Sequence, residues 1–241
     1  MSSYDILVEA YDELFPLNAG MVHFVEQQFG GRVNGLHLLD AGCGTGSLAI
    51  ALARHGAGIK AFDLNPGMVD KAEGKRPQAL NLMFRVGSLL DMESLYPGQI
   101  FDGILCVGNT LVHLPDRVAI ASFFDQALRL LKPGGKLVVQ MVNYDNIIAH
   151  KPDSLPVINT KHYLFERGYE YTASGHVRFI TSLSNMENGH SLKDSTLLLP
   201  CEKSFLENEL EGRFRTVDFF GAFDGAPWHG TTFHTIVVAQ K

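Results

Sequence analysis

Asp40, Asp63 and His113 are spaced around a loop in which almost no side chain intervenes, at Gly42, Gly44 and Gly46. An apolar run stops at Asp40 and enters Ala41-Gly42-Cys43-Gly44-Thr45-Gly46, beyond which Leu48 and Leu52 read as a helix start. Glycines in a strand–turn–helix unit admit positive φ and let a ligand lie on the backbone. The helix behind such a turn offers free N–H groups to a carboxylate or phosphate. A second apolar run ends at Asp63, 21 residues after Gly42, where a carboxylate accepts hydrogen bonds from both hydroxyls of a ribose. Asp63 has an alternative role as a helix cap before Asn65-Pro66-Gly67-Met68. The dinucleotide pattern asks for glycine at the first, third and sixth loop positions; Ser47 occupies the sixth, which counts against a nicotinamide cofactor.

Stepping outward, strands are expected at 36–41, 59–63, 82–87, 101–107 and 136–143, separated by helices. The helix before the last of these carries Ile120, Phe123, Phe124, Ala127, Leu128 and Leu131 on one face, begins after Asp116 and stops at Lys132-Pro133-Gly134-Gly135. Such alternation implies a parallel sheet with its ligand crevice at the carboxyl ends of the strands. Apolar spacing over 4–30 predicts two helices broken near Pro16. From Tyr163 to Leu199 the chain turns β-rich, with strands around Tyr169–Thr172, His176–Ile180 and Ser195–Leu199. Ser204-Phe205-Leu206-Glu207 reads as a capping box for a short helix ending at Gly212, and 214–220 and 232–240 as a closing hairpin.

LLDAGCGTG, AFDLNPGMVDKA, FDGILCVGNTLVHL and LLKPGGKLVV, in that order, resemble the motifs of class I S-adenosylmethionine-dependent methyltransferases. The resemblance implies an α/β fold: a Rossmann-like seven-stranded, mostly parallel sheet with the last strand antiparallel, helices on both faces and an inserted antiparallel β-lid. Residues 1–35 would be a helical cap, 36–143 the cofactor-binding core, 144–202 the lid, and 203–241 a helix and hairpin. It implies S-adenosyl-L-methionine as cofactor, with S-adenosyl-L-homocysteine as product, held by Asp40, Gly42, Cys43, Gly44, Gly46, Asp63, Leu64, Met68, Ser88, Leu89, Val107, Asn109 and a covering Tyr11. Many relatives carry an acid where this chain has Ser88, whose hydroxyl gives a weaker contact to an adenine amino group. The Gly108–Leu114 loop resembles those of small-molecule N-methyltransferases of the glycine/sarcosine type.

The implied reaction is in-line methyl transfer to N or O of a small metabolite, in which positioning supplies much of the rate. His113 is a candidate general base, or a group that orients its neighbours. Asn109 either bonds the cofactor or substrate or satisfies the strand–helix turn. Tyr4 joins Tyr11 as an N-terminal lid aromatic. Tyr169, Tyr171, His176 and Arg178 alternate on the β-rich segment, so one set faces the crevice or solvent. Tyr171, Arg178 and Trp228 are the acceptor candidates, although a loop-tip tryptophan also packs on its own hairpin.

The rest of the composition narrows the function classes. The formal charge of −6 over 241 residues, with no basic stripe, disfavours nucleic acid. No apolar run approaches the ~18 residues that span a bilayer, and residues 1–5 lack a signal-peptide pattern. Three cysteines without metal spacing suit a reducing, cytoplasmic setting, and the ten histidines form no ligand pattern, so no metal is expected. The sequence leaves the assembly open, with a homodimer among its options. A cofactor-binding module without turnover, or a methyltransferase acting on RNA or protein, stands as the alternative.

Overall fold

The computed structural model describes residues 3–241, with side chains from residue 6 onward, so Tyr4 as a lid aromatic and Met1-Ser2 lie outside the described residues. In chain order the elements are α1 (Ser3–Leu14), α2 (Ala19–Gln28), β1 (His37–Ala41), α3 (Ser47–Arg54), β2 (Gly58–Asp63), α4 (Pro66–Lys75), β3 (Leu82–Val86), α5 (Met92–Leu95), β4 (Phe101–Cys106), α6 (Arg117–Leu130) and β5 (Leu131–Val142). There follow α7 (Tyr144–His150), β6 (Ser154–Asn159), β7 (Tyr163–Tyr171), β8 (Val177–Asn185), β9 (Ser191–Leu198), α8 (Lys203–Leu210), β10 (Thr216–Phe220) and β11 (His234–Gln240).

Seven strands form one sheet in the order β10-β11-β5-β4-β1-β2-β3. β1, β2, β3, β4 and β5 pair in parallel, while β11 pairs antiparallel with both β5 and β10. Only β11 therefore runs against the rest, as the sequence implies. Successive strand residues point to opposite faces. Leu38, Ile59, Leu105 and Val138 enter one core with α2, α3 and α4, and Leu39, Phe62, Ile104 and Val139 enter the other with α6 and α8.

Four strands form a separate antiparallel sheet, β6-β7-β8-β9. Its first strand is missing from the sequence reading. Pro152 and Pro156 flank and interrupt it, and its register against β7 shifts between Leu155 and Ile158, as suits an edge strand that lacks a donor. Two other expectations need correction. Ser204 does not cap α8, because the helix starts at Lys203, whose N–H donates to Asp145 Oδ2 at 2.8 Å from α7; a long-range acceptor has replaced the local one. The Lys132–Gly135 stretch does not separate helix from strand. β5 already pairs at Leu131 with Phe101 and resumes at Lys136 with Gly103, so the stretch is a bulge inside the strand.

Helix α1 is fastened on two sides by adjacent acids. Asp12 accepts from the Lys75 ammonium through both oxygens at 2.8 Å and from the Thr45 and Ser47 hydroxyls on the core. Glu13 accepts from the His162 backbone N–H at 3.0 Å, and its other oxygen lies 2.9 Å from His162 Nδ1 on the β6–β7 turn. α1 thus bridges the two sheets. Asn143, fully buried, joins the end of β5 to the final loop. Its side-chain oxygen caps α7 at the Asn146 N–H, and its Nδ2 lies within 3.2 Å of the His229, Gly230 and Thr232 carbonyls. Asn143→Ala strands those carbonyls in a buried setting. The expected cost is about 2 kcal/mol, or a melting point about 4–8 °C lower in a thermal unfolding scan.

Candidate functional site

A cavity of about 1030 Å³ opens at the carboxyl ends of β1, β2 and β4 and runs beneath the four-stranded sheet. It lies at the top of the range of about 300–1,000 Å³ for ligand pockets, which leaves room for more than one small molecule. Gly42, Gly44, Asp63, Leu64, Met68, Ser88 and Leu89 line its core side. Asn109, Thr110 and His113 line the loop after β4, and Tyr11 and Phe15 come from α1 and the residue after it. Leu155, Phe165, Arg167, Tyr169, Phe179, Thr181 and Asp194 descend from the second sheet.

The glycine loop is shaped by its own packing as well as by any ligand. Its N–H groups at Gly42 and Cys43 donate to the Phe62 carbonyl at 2.8 and 2.9 Å. Gly42 and Gly46 sit at φ of 82° and 77°, and a Cβ there would fall 2.3 Å from Thr110 and 2.5 Å from Phe84. At Gly44 the nearest group to a Cβ is the Tyr11 ring, at 3.3 Å, so the tyrosine lies against the bare backbone. Burial and the nearby Asp63 charge push the Tyr11 hydroxyl up to about 12, which keeps it a neutral donor.

Asp63 is held by two backbone donors. Gly44 N–H donates to Oδ2 at 2.8 Å and Asn65 N–H to Oδ1 at 2.9 Å. The helix-cap role belongs to Asn65, whose Oδ1 accepts from Gly67 and Met68 at the start of α4. Asp63 therefore keeps lone pairs for the cavity, with its orientation fixed. Asp40 is buried behind the loop, with no hydrogen-bond partner for either carboxylate oxygen. Burial, helped by Asp63, pushes its pKa up to about 7. A buried acid without donors is costly when ionised, and Asp40, which is not among the residues lining the cavity, stands behind the wall.

Several predicted residues serve the scaffold. The Ser88 hydroxyl accepts from Leu90 N–H at 3.1 Å, so part of its acceptor capacity is spent on the local turn. The Asn109 side chain accepts from Val142 N–H at 3.1 Å and donates to the Tyr144 hydroxyl at 3.3 Å. Its φ of 67° and its backbone bond to Gln140 make it part of the strand–helix turn while it still lines the cavity. Cys43, Gly46 and Val107 lie behind the wall: the Cys43 thiol points at the Gly44 carbonyl, Gly46 is the N-cap residue of α3, and the Val107 carbonyl accepts from Thr110. His113 faces the cavity. The enclosing protein lowers its pKa below the ordinary value, against a smaller opposing pull from Asp63, so the ring is neutral at pH 7 and able to take a proton.

The three acceptor candidates lie off the cavity wall. Tyr171 donates its hydroxyl to the Pro152 carbonyl at 2.9 Å, and Arg178 lies 3.6 Å from Glu170 on the outer face. Trp228 Nε1 donates to Thr235 at 2.9 Å, with Lys203 above its ring, so it packs on its own hairpin. The residues that sequence reasoning missed are Phe165, Arg167, Thr181 and Asp194. Their signal was strand parity: Phe165, Arg167 and Tyr169 alternate onto one face of β7, and Glu170 and Arg178 pair on the other. Among the described residues no group of three or more His, Cys, Asp or Glu could hold a metal ion, and no helix is long and apolar enough to cross a membrane.

Residues 38–135 match the family model of a methyltransferase domain. The chain is 34% identical over 131 residues to a ubiquinone biosynthesis O-methyltransferase of Xylella fastidiosa (strain M23), over 54% of this chain and 50% of that protein. It thus spans about half the length of the curated relatives it matches. Its fold is similar to that of an S-adenosylmethionine-dependent methyltransferase from Clostridium acetobutylicum ATCC 824, with a TM-score of 0.82 and 18% identity over 99% of each chain. It is also similar to the CcbJ methyltransferase from Streptomyces caelestis, with a TM-score of 0.80 and 17% identity over 99% of this chain and 97% of that one.

The raised pKa of Asp40 sets a pH test of stability. Between an unfolded pKa of about 3.9 and the folded value, the native state holds a proton that the unfolded chain has lost, so stability falls as pH rises through that window. Asp40→Asn removes this slope. Urea unfolding should show the variant gaining on the wild type from pH 4 to pH 7, with the gap constant above.

Proposed function

We propose that this chain, a member of the class I S-adenosylmethionine-dependent methyltransferase superfamily by its domain at 38–135 and by its fold, transfers a methyl group from S-adenosyl-L-methionine to an N or O atom of a small acceptor. The observation that carries this reading is a single cavity shared by Asp63, the glycine loop, His113 and the second sheet. The residues fit the cofactor. Asp63 offers oriented lone pairs to a ribose, Asp40 backs the loop from the buried side, and Tyr11 covers Gly44. Leu64, Met68 and Leu89 supply apolar wall for the base. When bound, the cofactor supplies an electrophilic methyl on a sulfonium.

The protein's share of the reaction is positioning and proton removal. The core and lid hold cofactor and acceptor on opposite sides of one cavity, which turns a bimolecular displacement into a reaction of pre-aligned neighbours. His113, neutral at pH 7, takes the acceptor's proton as its N or O attacks the methyl. The cavity beneath the lid favours a small molecule over RNA or protein, as does the acidic balance of the chain. The Xylella relative is an O-methyltransferase, so the acceptor atom in that protein is an oxygen. The family model ends at residue 135, before the lid begins, so the acceptor must be read from this chain's own lid.

Calorimetric titration tests the cofactor directly. S-adenosylmethionine and S-adenosylhomocysteine should bind, and NAD should not; the reverse pattern refutes the assignment. Asp63→Ala should weaken S-adenosylhomocysteine binding by about 1–3 kcal/mol, roughly 5- to 150-fold, through loss of charge-assisted bonds. An unchanged Kd excludes the ribose role. His113→Ala should lower turnover by about 10²-fold or more while the cofactor Kd stays within about twofold. In the wild type the rate should rise with pH through a value below the ordinary histidine pKa, and the variant should lose that limb. A variant that turns over at the wild-type rate removes His113 as the base.

A further inference from the structure

We propose that Arg167 is the acceptor-recognition residue and that the acceptor carries a carboxylate bound to its guanidinium; this rests on the methyltransferase reading above. Arg167 is the only lysine or arginine among the described residues lining the cavity. It sits on β7, opposite Thr181 of β8, which in turn lies opposite Asp194 of β9. With Leu155 of β6, paired to Arg167, these residues make one row across the lid. The rows on either side are mostly apolar: Ile158, Phe165 and Leu183 on one, and Tyr169 and Phe179, followed by Thr196, on the other. A charged row set in a mostly apolar ceiling fixes orientation, while its surroundings hold the body of a ligand.

The guanidinium is underpaired where it stands. One Nη donates to the Pro156 carbonyl at 2.7 Å, which fixes the fork, and Nε is buried without an acceptor. No carboxylate of the protein lies within salt-bridge distance of it among the described residues, whereas Arg76, Arg129, Arg178 and Arg213 each have an acid partner. The Phe165 ring lies beneath it, 5.6 Å from ring centroid to guanidinium carbon, and limits its movement. A half-buried cation without a counter-ion, facing a cavity, is stabilised by an anion that enters with the ligand. Arginine presents a planar fork that matches a carboxylate in two-point contact.

A carboxylate suits this row better than a phosphate. There is one cation to balance, and Asp194 two strands away opposes a second negative charge. The flanking Phe165, Tyr169 and Phe179 favour a planar body between the carboxylate and the atom to be methylated.

The test uses the full chain with S-adenosylhomocysteine bound, and ligand-observed NMR titration of matched probes. These are 4-hydroxybenzoate against 4-hydroxybenzamide, 4-aminobenzoate against 4-aminobenzamide, and phenylphosphonate against benzoate. The wild type should prefer each carboxylate over its amide by about tenfold or more and benzoate over phenylphosphonate. Arg167→Gln should bring acid and amide to within about twofold, and Arg167→Lys should keep part of the preference. Arg178→Gln, altered on the outer face, should keep all of it. S-adenosylhomocysteine should bind every variant with the wild-type Kd, which also shows that each is folded. Equal binding of acid and amide by the wild type, no binding of any carboxylate, or a preference that survives in Arg167→Gln overturns the subsite while the cofactor reading stands. Failure of S-adenosylhomocysteine to bind the wild type overturns both.

Discussion

Both oxygens of the Asp63 carboxylate accept hydrogen bonds from backbone N–H groups, and the cavity is organised around that fact. One donor is Gly44 in the loop after β1, and the other is Asn65 at the start of α4. A single side chain at the tip of β2 therefore sets the position of the glycine loop relative to the next helix. Asn65 continues the chain of bonds by capping α4 with its own side chain. An aspartate held in this way cannot swing toward solvent, so the lone pairs left over point where the scaffold directs them. A glutamate would add a methylene and lose the geometry; an asparagine would place an N–H against one of the two donors. The same charge also acts at a distance, raising the pKa of Asp40 and of Tyr11.

Helix α1 solves a different problem. A cavity formed between two sheets needs something to hold them together without filling the space. The consecutive acids Asp12 and Glu13 point to different partners because adjacent helix positions lie about 100° apart. Asp12 takes the core lysines and hydroxyls, and Glu13 takes the lid turn at His162. Tyr11, the residue before them, turns to the cavity and lies on Gly44. Three successive residues thus bond the core, bond the lid and cover the loop. These exposed or half-exposed ion pairs are individually weak, and α1 is also held by apolar burial, with Ala10 and Leu14 packed against Tyr163, Phe165 and Leu183 of the lid.

The features that local sequence could reveal are those set by local geometry. Gly42, Gly44 and Gly46 need positive φ whatever surrounds them, and the spacing from the loop to Asp63 is that of one strand–helix–strand unit. The alternation of strands and helices in the core was legible for the same reason. The second sheet's side of the cavity was not, because its composition depends on the register between strands. Arg167 and Arg178 look alike in the sequence, and choosing between them requires knowing that Arg178 pairs with Glu170 on the outer face while Arg167 shares its face with Phe165 and Tyr169. The alternation did contain that distinction, since a face carrying Glu170 and Arg178 is one that water can solvate. The helix cap at Lys203 was invisible for a related reason. Its acceptor, Asp145, is distant in sequence, and a local Ser204–Glu207 pattern stood in its place.

The division between a recognisable core and an idiosyncratic lid has a physical origin. A cofactor shared by many enzymes imposes the same demands on each: a bare loop, an oriented acid and a cover. Backbone geometry meets most of these demands, and backbone geometry is what a short motif encodes. An acceptor differs from enzyme to enzyme and is met by side chains on a sheet whose register is set by turns and edge prolines. In this chain the family match stops at residue 135, and the lid starts beyond Val142. The lid turns one cation, Arg167, to the cavity, on a row between two mostly apolar ones. Charge there can vary without disturbing the glycine loop or Asp63, because the contacts that fix them all come from the core and α1.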